Sequence, residues 1–320
     1  VAVFSAHARA IELCLFDAHG AAELERIALP ERTGDVFHGF VAGIAAGARY
    51  GLRAYGPFEP RRGHRFNPAK LLLDPYARAI DRRFAFHPAL TCGAAHGAQP
   101  GDADSAPFMP KAIATAAAEA AASARPRVPW ADTTIYELHV RGFTQLHADV
   151  PAALRGTCAG LAHPAALAHL RRLGITTVEL LPVAAAIDEP HLARRGLANY
   201  WGYNPAAWFV PDPRLAPGGI EELRACVATL HQHGIEVLLD IVLNHSGEGD
   251  ARGPTLCLRG LDNLTYYRTL RDDPAAYADD SGCGNTLALE RPPVLRLAMD
   301  MLRHYAQAAG VDGFRFDLAT

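Results

Sequence analysis

The sequence contains no CxxC pair, no HExxH or HxxxH spacing, and no apolar run near the ~20 residues that a membrane-spanning helix requires. Its six cysteines, at positions 14, 92, 158, 226, 257 and 283, are scattered. That pattern predicts reduced thiols in a cytoplasmic protein rather than a disulfide framework, and no zinc site. No glycine-rich phosphate loop follows a strand-like run, and no repeat with a period of about 20–50 residues is present, which sets aside nucleotide-binding folds and solenoids. Charge of one sign is missing as well: 31 Lys+Arg against 34 Asp+Glu leave a net −3. Neither nucleic acid nor an acidic membrane face is a favoured partner, and an uncharged or mildly polar ligand fits better. The chain opens VAVF without Met, basic flank or small-residue cleavage site. The expectation is therefore no signal peptide and a missing start.

What is present is average for a globular chain, with 50% hydrophobic and 20% charged residues. Residues 1–90 carry short alternating runs, Ile11–Phe16 and Phe37–Val41, separated by Gly, Pro and Asp turns, the pattern of a small β-sandwich. Residues 91–130 shift to Ala, Gly, Ser and Pro and read as a connector, with a surface helix expected over Ala112–Ala122. From 131 to 320 the pattern changes again. Strand-like runs at Thr134–Val140, Thr176–Leu181, Glu236–Val242 and Val311–Asp317 alternate with helical stretches at Pro164–Leu173, Gly219–His233 and Pro293–Ala309. Gly174, Gly234 and Gly310 stand where a left-handed helix cap is wanted. Alternation of this kind predicts a parallel sheet, and a (β/α)8 barrel is preferred over a doubly wound sheet because the phosphate loop is missing. The expected fold is thus multidomain β plus α/β: a sandwich followed by the first half of a barrel, ending after its fourth strand. A long excursion is expected at about 246–291.

In such a barrel the chemistry lies at the carboxyl ends of the strands. The third run ends LLDIVLNH with Asp240, Asn244 and His245, and the fourth ends GFRFD with Arg315 and Asp317. Residues two apart on a strand share a face, so Arg315 and Asp317 point together into the barrel and Phe314 and Phe316 point out. The guanidinium is expected to keep Asp317 ionised, as a nucleophile or anionic stabiliser requires; a buried structural ion pair is the alternative. The loop after the second strand, NYWGYNPAAW (199–208), holds four aromatics in ten residues. Tyr203 is the first candidate for stacking on a sugar ring, with Trp201 beside it, whereas Trp201 and Trp208 as core filling is the other reading.

These residues resemble a family. LLDIVLNH and GFRFD are similar to the first and second motifs of the α-amylase superfamily, glycoside hydrolase family 13. GLRAYGPFEPRRGHRFNPAKLLLDP (51–75) resembles the family-48 carbohydrate-binding module that precedes debranching members. YELHVRGFT (136–144), NYWGYNP (199–205) and GCGNTL (282–287) are similar to the glycogen-debranching and isoamylase branch in particular.

The resemblance implies an α-glucan partner (glycogen, limit dextrin or maltooligosaccharide branches) and α-1,6 hydrolysis by a retaining double displacement. Asp317 would be the nucleophile, Arg315 its orienting partner, Tyr203 the stacking ring, and Asp240, Asn244, His245 and Trp201 substrate contacts or supports. It also implies no metal and no cofactor. The general acid, a Glu at the fifth strand end, would lie beyond Thr320, since neither Glu137 nor Glu248 matches it, so these 320 residues are expected to be inactive alone. A branching or trehalose-forming relative and a non-catalytic glucan-binding scaffold are the rival readings. All three Trp (130, 201, 208) follow the front region, so a glucan platform there would need Tyr50, Tyr55 or Phe58.

Overall fold

The computed structural model describes residues 1–92, 99–116, 120–121 and 124–319. The front part is built from antiparallel strands. β2 (Ala10–Phe16) lies between β3 (Glu23–Ala28) and β6 (Arg49–Tyr55), and β1 (Ala2–Phe4), β5 (Val36–His38) and β4 (Glu31–Thr33) form a second sheet in that order. Ile11 and Leu13 of β2 and Leu52 and Ala54 of β6 share one core with Val3 and Phe37 of the second sheet. A short hairpin, β7 (Phe58–Glu59) and β8 (His64–Arg65), follows. β9 (Ala112–Ile113) then adds to the edge of β6 opposite Arg49 and Tyr50. The surface helix expected at Ala112–Ala122 is therefore corrected at its start: β6 offers unpaired ladder groups, and Ala112 and Ile113 satisfy them as a strand. Residues 117–119 and 122 of that run lie outside the described residues.

The second half is a parallel sheet in the order β10 (Ile135–Leu138), β11 (Thr177–Leu180), β14 (Glu236–Ile241) and β15 (Gly313–Phe316). An antiparallel pair, β12 (Ala184–Ala186) and β13 (Pro205–Pro211), stands beside it. The first strand stops earlier than expected, and the reason is local. His139 caps the short helix α1 (Val140–Thr144), its Nδ1 accepting the Gly142 N–H at 3.1 Å, which turns the backbone out of the sheet.

α2 (Cys158–Leu161) and α3 (Pro164–Arg172) lead into β11, and α5 (Gly219–Gln232) buries Leu223, Cys226, Val227 and Leu230 along one stripe before β14. The three expected caps adopt positive φ: +71° at Gly174, +75° at Gly234 and +79° at Gly310. α4 (Pro190–Ala193) and α6 (Leu258–Tyr266) sit in the loops, and α7 (Pro292–His304) buries Val294, Leu297, Ala298 and Met301. The helix expected to run to Ala309 closes instead with a π-turn over Tyr305–Ala309, Gly310 N–H reaching Tyr305 O at 3.1 Å.

The front part is sewn to the segment after β14. Leu73 N–H donates to Leu256 O (2.8 Å), Thr255 N–H to Leu90 O (2.7 Å) and Ser5 Oγ to Leu261 O (2.7 Å). The buried Asp262 carboxylate accepts the Ala6 and His7 amides. These bonds fix the front part against the rim of the parallel sheet.

His304, buried on α7, has its pKa pushed down to about 4 by burial and by Arg78. Unfolding restores its ordinary value near 6.5, so the unfolded chain binds the extra proton and stability is lost as pH falls between these values. We expect this one group to remove about 2 kcal/mol between pH 7 and pH 5. Denaturant melts of H304Q at both pH values should show a loss smaller by that amount; an unchanged loss would contradict it.

Candidate active site

The site is built at the carboxyl ends of β14 and β15. These strands pair in parallel with Asp240 directly opposite Arg315, so a carboxylate and a guanidinium meet on the same face of the sheet. Arg315 Nη1 donates to both oxygens of Asp240 at 3.0 Å and to Oδ1 of Asp317 at 3.0 Å. The other Asp317 oxygen accepts from Asn244 Nδ2 at 3.1 Å. Each oxygen of Asp317 thus carries one donor, and a 3.0 Å bond from its N–H to Ile241 O fixes its backbone.

From Asn244 the contacts continue. Its Oδ1 meets His245 Nδ1, and His245 Nε2 donates to the Tyr203 carbonyl at 2.8 Å. The Tyr203 hydroxyl donates to Asp240 Oδ2, which closes the circuit Arg315, Asp240, Tyr203, His245, Asn244, Asp317. Six of the seven residues singled out from sequence are therefore joined in one ring of polar contacts. Trp201 stands outside it. Its ring is 57% exposed and meets Tyr200 edge-on at 5.3 Å. Trp208 is buried and donates to Val242 O at 2.9 Å, so it is core beneath the loop. His245 is 1% exposed and supports Tyr203 from beneath. Phe314 packs against the core, whereas Phe316 is 46% exposed rather than covered by helices.

The aromatic loop is positioned by its own polar residues. Asn199 accepts the Gly202 N–H at 2.8 Å, and Gly202 adopts φ +85° with its Cα against the Pro182 carbonyl, a conformation and clearance that only glycine supplies. Asn199 is held by Asp188, which accepts its amide, and by Glu189, which accepts its side chain.

Sequence reading missed Glu179. It sits on β11 opposite Glu137, on the face shared with Asp240, and Arg315 Nε lies 4.0 Å from it. Burial, Glu137 and Asp240 push its pKa up, Arg315 opposing them, and burial likewise pushes Asp240 up against the pull of Tyr203 and Arg315. The signal was a lone charge inside an otherwise apolar buried run, TVEL.

Glu248 has a structural task. It is buried and accepts the amides of Leu256, Cys257 and Arg259 and the Tyr267 hydroxyl. Arg259 in turn donates to the carbonyls of Glu248, Gly249, Asp250, Gly253 and Pro254. The loop that follows His245 is therefore bonded internally. Among the described residues no cluster of three or more His, Cys, Asp or Glu is arranged to hold a metal, and no helix is long and apolar enough to cross a membrane.

Comparison with known proteins first defines the parts. Residues 1–77 match carbohydrate-binding module 48, the isoamylase N-terminal domain. The fold of 99% of the chain is shared with the pullulanase of Paenibacillus barengoltzii solved with maltohexaose and alpha-cyclodextrin (TM-score 0.71, 23% identity, 46% of that chain). It is shared as well with the pullulanase of Bacillus acidopullulyticus (TM-score 0.72, 23% identity, 99% of this chain and 36% of that one).

The sequence is 52% identical over 99% of its length to the glycogen debranching enzyme of Yersinia enterocolitica and 50% identical, again over 99%, to that of Yersinia pestis. The chain is thus a relative of the bacterial glycogen debranching enzymes over nearly all of its length, as its motifs led us to expect. It spans 48% of the length of either relative.

If the circuit is a coupled unit, Y203F leaves the buried Asp240 carboxylate short of a donor and should lower stability by about 1.5–3 kcal/mol. A double-mutant cycle of Y203F with D240N, read by urea denaturation, should give a coupling energy of about 1 kcal/mol or more. Simple additivity of the two losses would show that the contact contributes nothing.

Proposed function

We propose that the four parallel strands are the first half of a (β/α)8 barrel of glycoside hydrolase family 13, and that the protein hydrolyses α-1,6 branch linkages of glycogen and limit dextrin. The observation that carries this reading is the single Arg315 guanidinium holding Asp317 and Asp240 together at adjacent strand ends. A carboxylate that is to attack the anomeric carbon needs to be ionised, fixed in direction and within reach of solvent. Asp317 has one donor on each oxygen, and its side chain is 15% exposed.

In a retaining mechanism a carboxylic acid protonates the leaving glycosidic oxygen while the nucleophile forms a glucosyl ester, and water then releases the sugar as the acid turns base. Asp317 takes the nucleophile's part, with Arg315 and Asn244 orienting it. Asp240 and His245 hold Tyr203 across the strand ends, where its ring faces the sugar at the cleavage point. Glu248 is no acid for this step, because three amides and a hydroxyl occupy its buried carboxylate.

Asp317 and Arg315 are therefore assigned as catalytic, and Tyr203, Asp240, Asn244, His245 and Trp201 as substrate-side residues. We assign residues 1–90 to the module, with β9 (Ala112–Ile113) returning to its sheet edge, the rest of 91–130 to the connector and 131–320 to the barrel part. The cytoplasm, where glycogen is turned over, is the compartment we assign.

A protein of the relatives' length that contains this sequence should raise reducing ends from a limit dextrin, which separates hydrolysis from branching or rearrangement. D317N should lower kcat at least about 10³-fold and leave glucan binding in place. Unchanged turnover would overturn the assignment. The 320 residues alone should release no reducing ends.

A further inference from the structure

A cavity of about 710 Å³ opens beside the candidate active site, within the ~300–1,000 Å³ range of small-molecule sites. Its walls come from three distant parts of the chain. Asn204, next to Tyr203, and Gly247, two residues after His245, line its inner end. Glu189 and Arg194 flank it from α4 and its end. The third wall, Phe86, Pro88 and Thr91, precedes the parallel sheet altogether.

That third wall is built into place. Thr91 pairs with Pro254, Thr255 N–H donates to Leu90 O at 2.7 Å, and Cys92 Sγ meets Thr255 Oγ1 at 3.2 Å. His87 stacks on Phe108 with centroids 3.4 Å apart, and its Nδ1 accepts the Ala89 amide.

Phe86 itself is half-buried yet packs with neither the core nor its fringe, unlike Phe84 two residues earlier. In the same lining, Glu189 spends one carboxylate oxygen on Asn199, and its buried Oε2 has no hydrogen-bond partner among the described residues. Cys283, from the GCGNTL segment, lines the same cavity. Arg194 and Arg252 stand with Glu189, Asp188 and Asp250 on its walls, so with His191 neutral the lining is slightly acidic and suits a neutral polyhydroxyl chain better than an anion.

We propose that residues 86–91 form one wall of the glucan groove, with Phe86 packing on the C–H face of a glucose unit and Glu189 Oε2 accepting a sugar hydroxyl. The inference rests on the α-glucan reading above and adds to it a binding role for chain that lies ahead of the catalytic sheet. The groove would seat glucose units of a linear α-1,4 segment next to the unit at Asp317.

Titration of the 320-residue chain with maltotetraose, by calorimetry, tests this. F86A should weaken binding about tenfold, F86Y should retain it, and E189Q should weaken it about threefold or more. L24A, at an exposed residue on the front sheet, is the control and should change nothing. Matching thermal melts of F86A and the parent chain establish that a loss is local. Parent-like affinity in both F86A and E189Q, or no binding of maltotetraose by the parent chain, overturns the groove wall. Failure of the groove with D317N still abolishing hydrolysis in the longer protein leaves the function standing, whereas absence of hydrolysis in that longer protein removes the function itself.

Discussion

One guanidinium lies among three carboxylates at the top of a parallel sheet, and the rest of the site follows from that imbalance. Arg315 bonds Asp240 and Asp317 and approaches Glu179 to 4.0 Å. Buried charge is tolerated only when it is paired and hydrogen-bonded. Burial pushes the pKa of Glu179 and of Asp240 up, and neighbouring carboxylates add to the shift while Arg315 opposes it. Asp240 is completed by the Tyr203 hydroxyl, and that single bond recruits the whole aromatic loop to the strand ends. That hydroxyl bond ties Tyr203 to the same charged layer that holds Asp317.

The loops around this centre are ordered by polar side chains bonding to backbone rather than by apolar burial. Asn199 holds Gly202, His245 holds the Tyr203 carbonyl, and Asn285 bonds to both Ser246 and Gly249. Segments without regular structure carry unsatisfied amides and carbonyls, and each of these side chains answers some of them. Positions that move little are what a reaction with sub-ångström tolerances needs.

Much of this was legible beforehand because it is local. Strand periodicity placed Arg315 and Asp317 on one face, and glycines at 174, 234 and 310 marked helix ends through a conformation that other residues avoid. The motif spacing located six members of the polar circuit. What was not legible depends on contacts between distant segments. Ala112 and Ile113 became a strand because Arg49 and Tyr50 offered an edge, overriding the helical preference of alanine. His139 ended a strand through a bond from its own side chain. Glu179 is one letter in an apolar run until its neighbours are known, and Phe86 looks like any ring at the end of the front part until Thr91 is seen paired to Pro254.

The Glu248 and Arg259 pair gives the rim after β14 a property that its glycine-rich sequence does not suggest. Three amides, a hydroxyl and five carbonyls converge on two buried side chains, so residues 248–259 possess a polar kernel beside the apolar core that Leu256 and Leu258 join. Such a kernel melts as a whole, since losing either side chain strands the backbone groups it satisfies. The rim should therefore open to solvent in a single cooperative step instead of fraying from its tip, and its slow amide exchange would look like that of a strand.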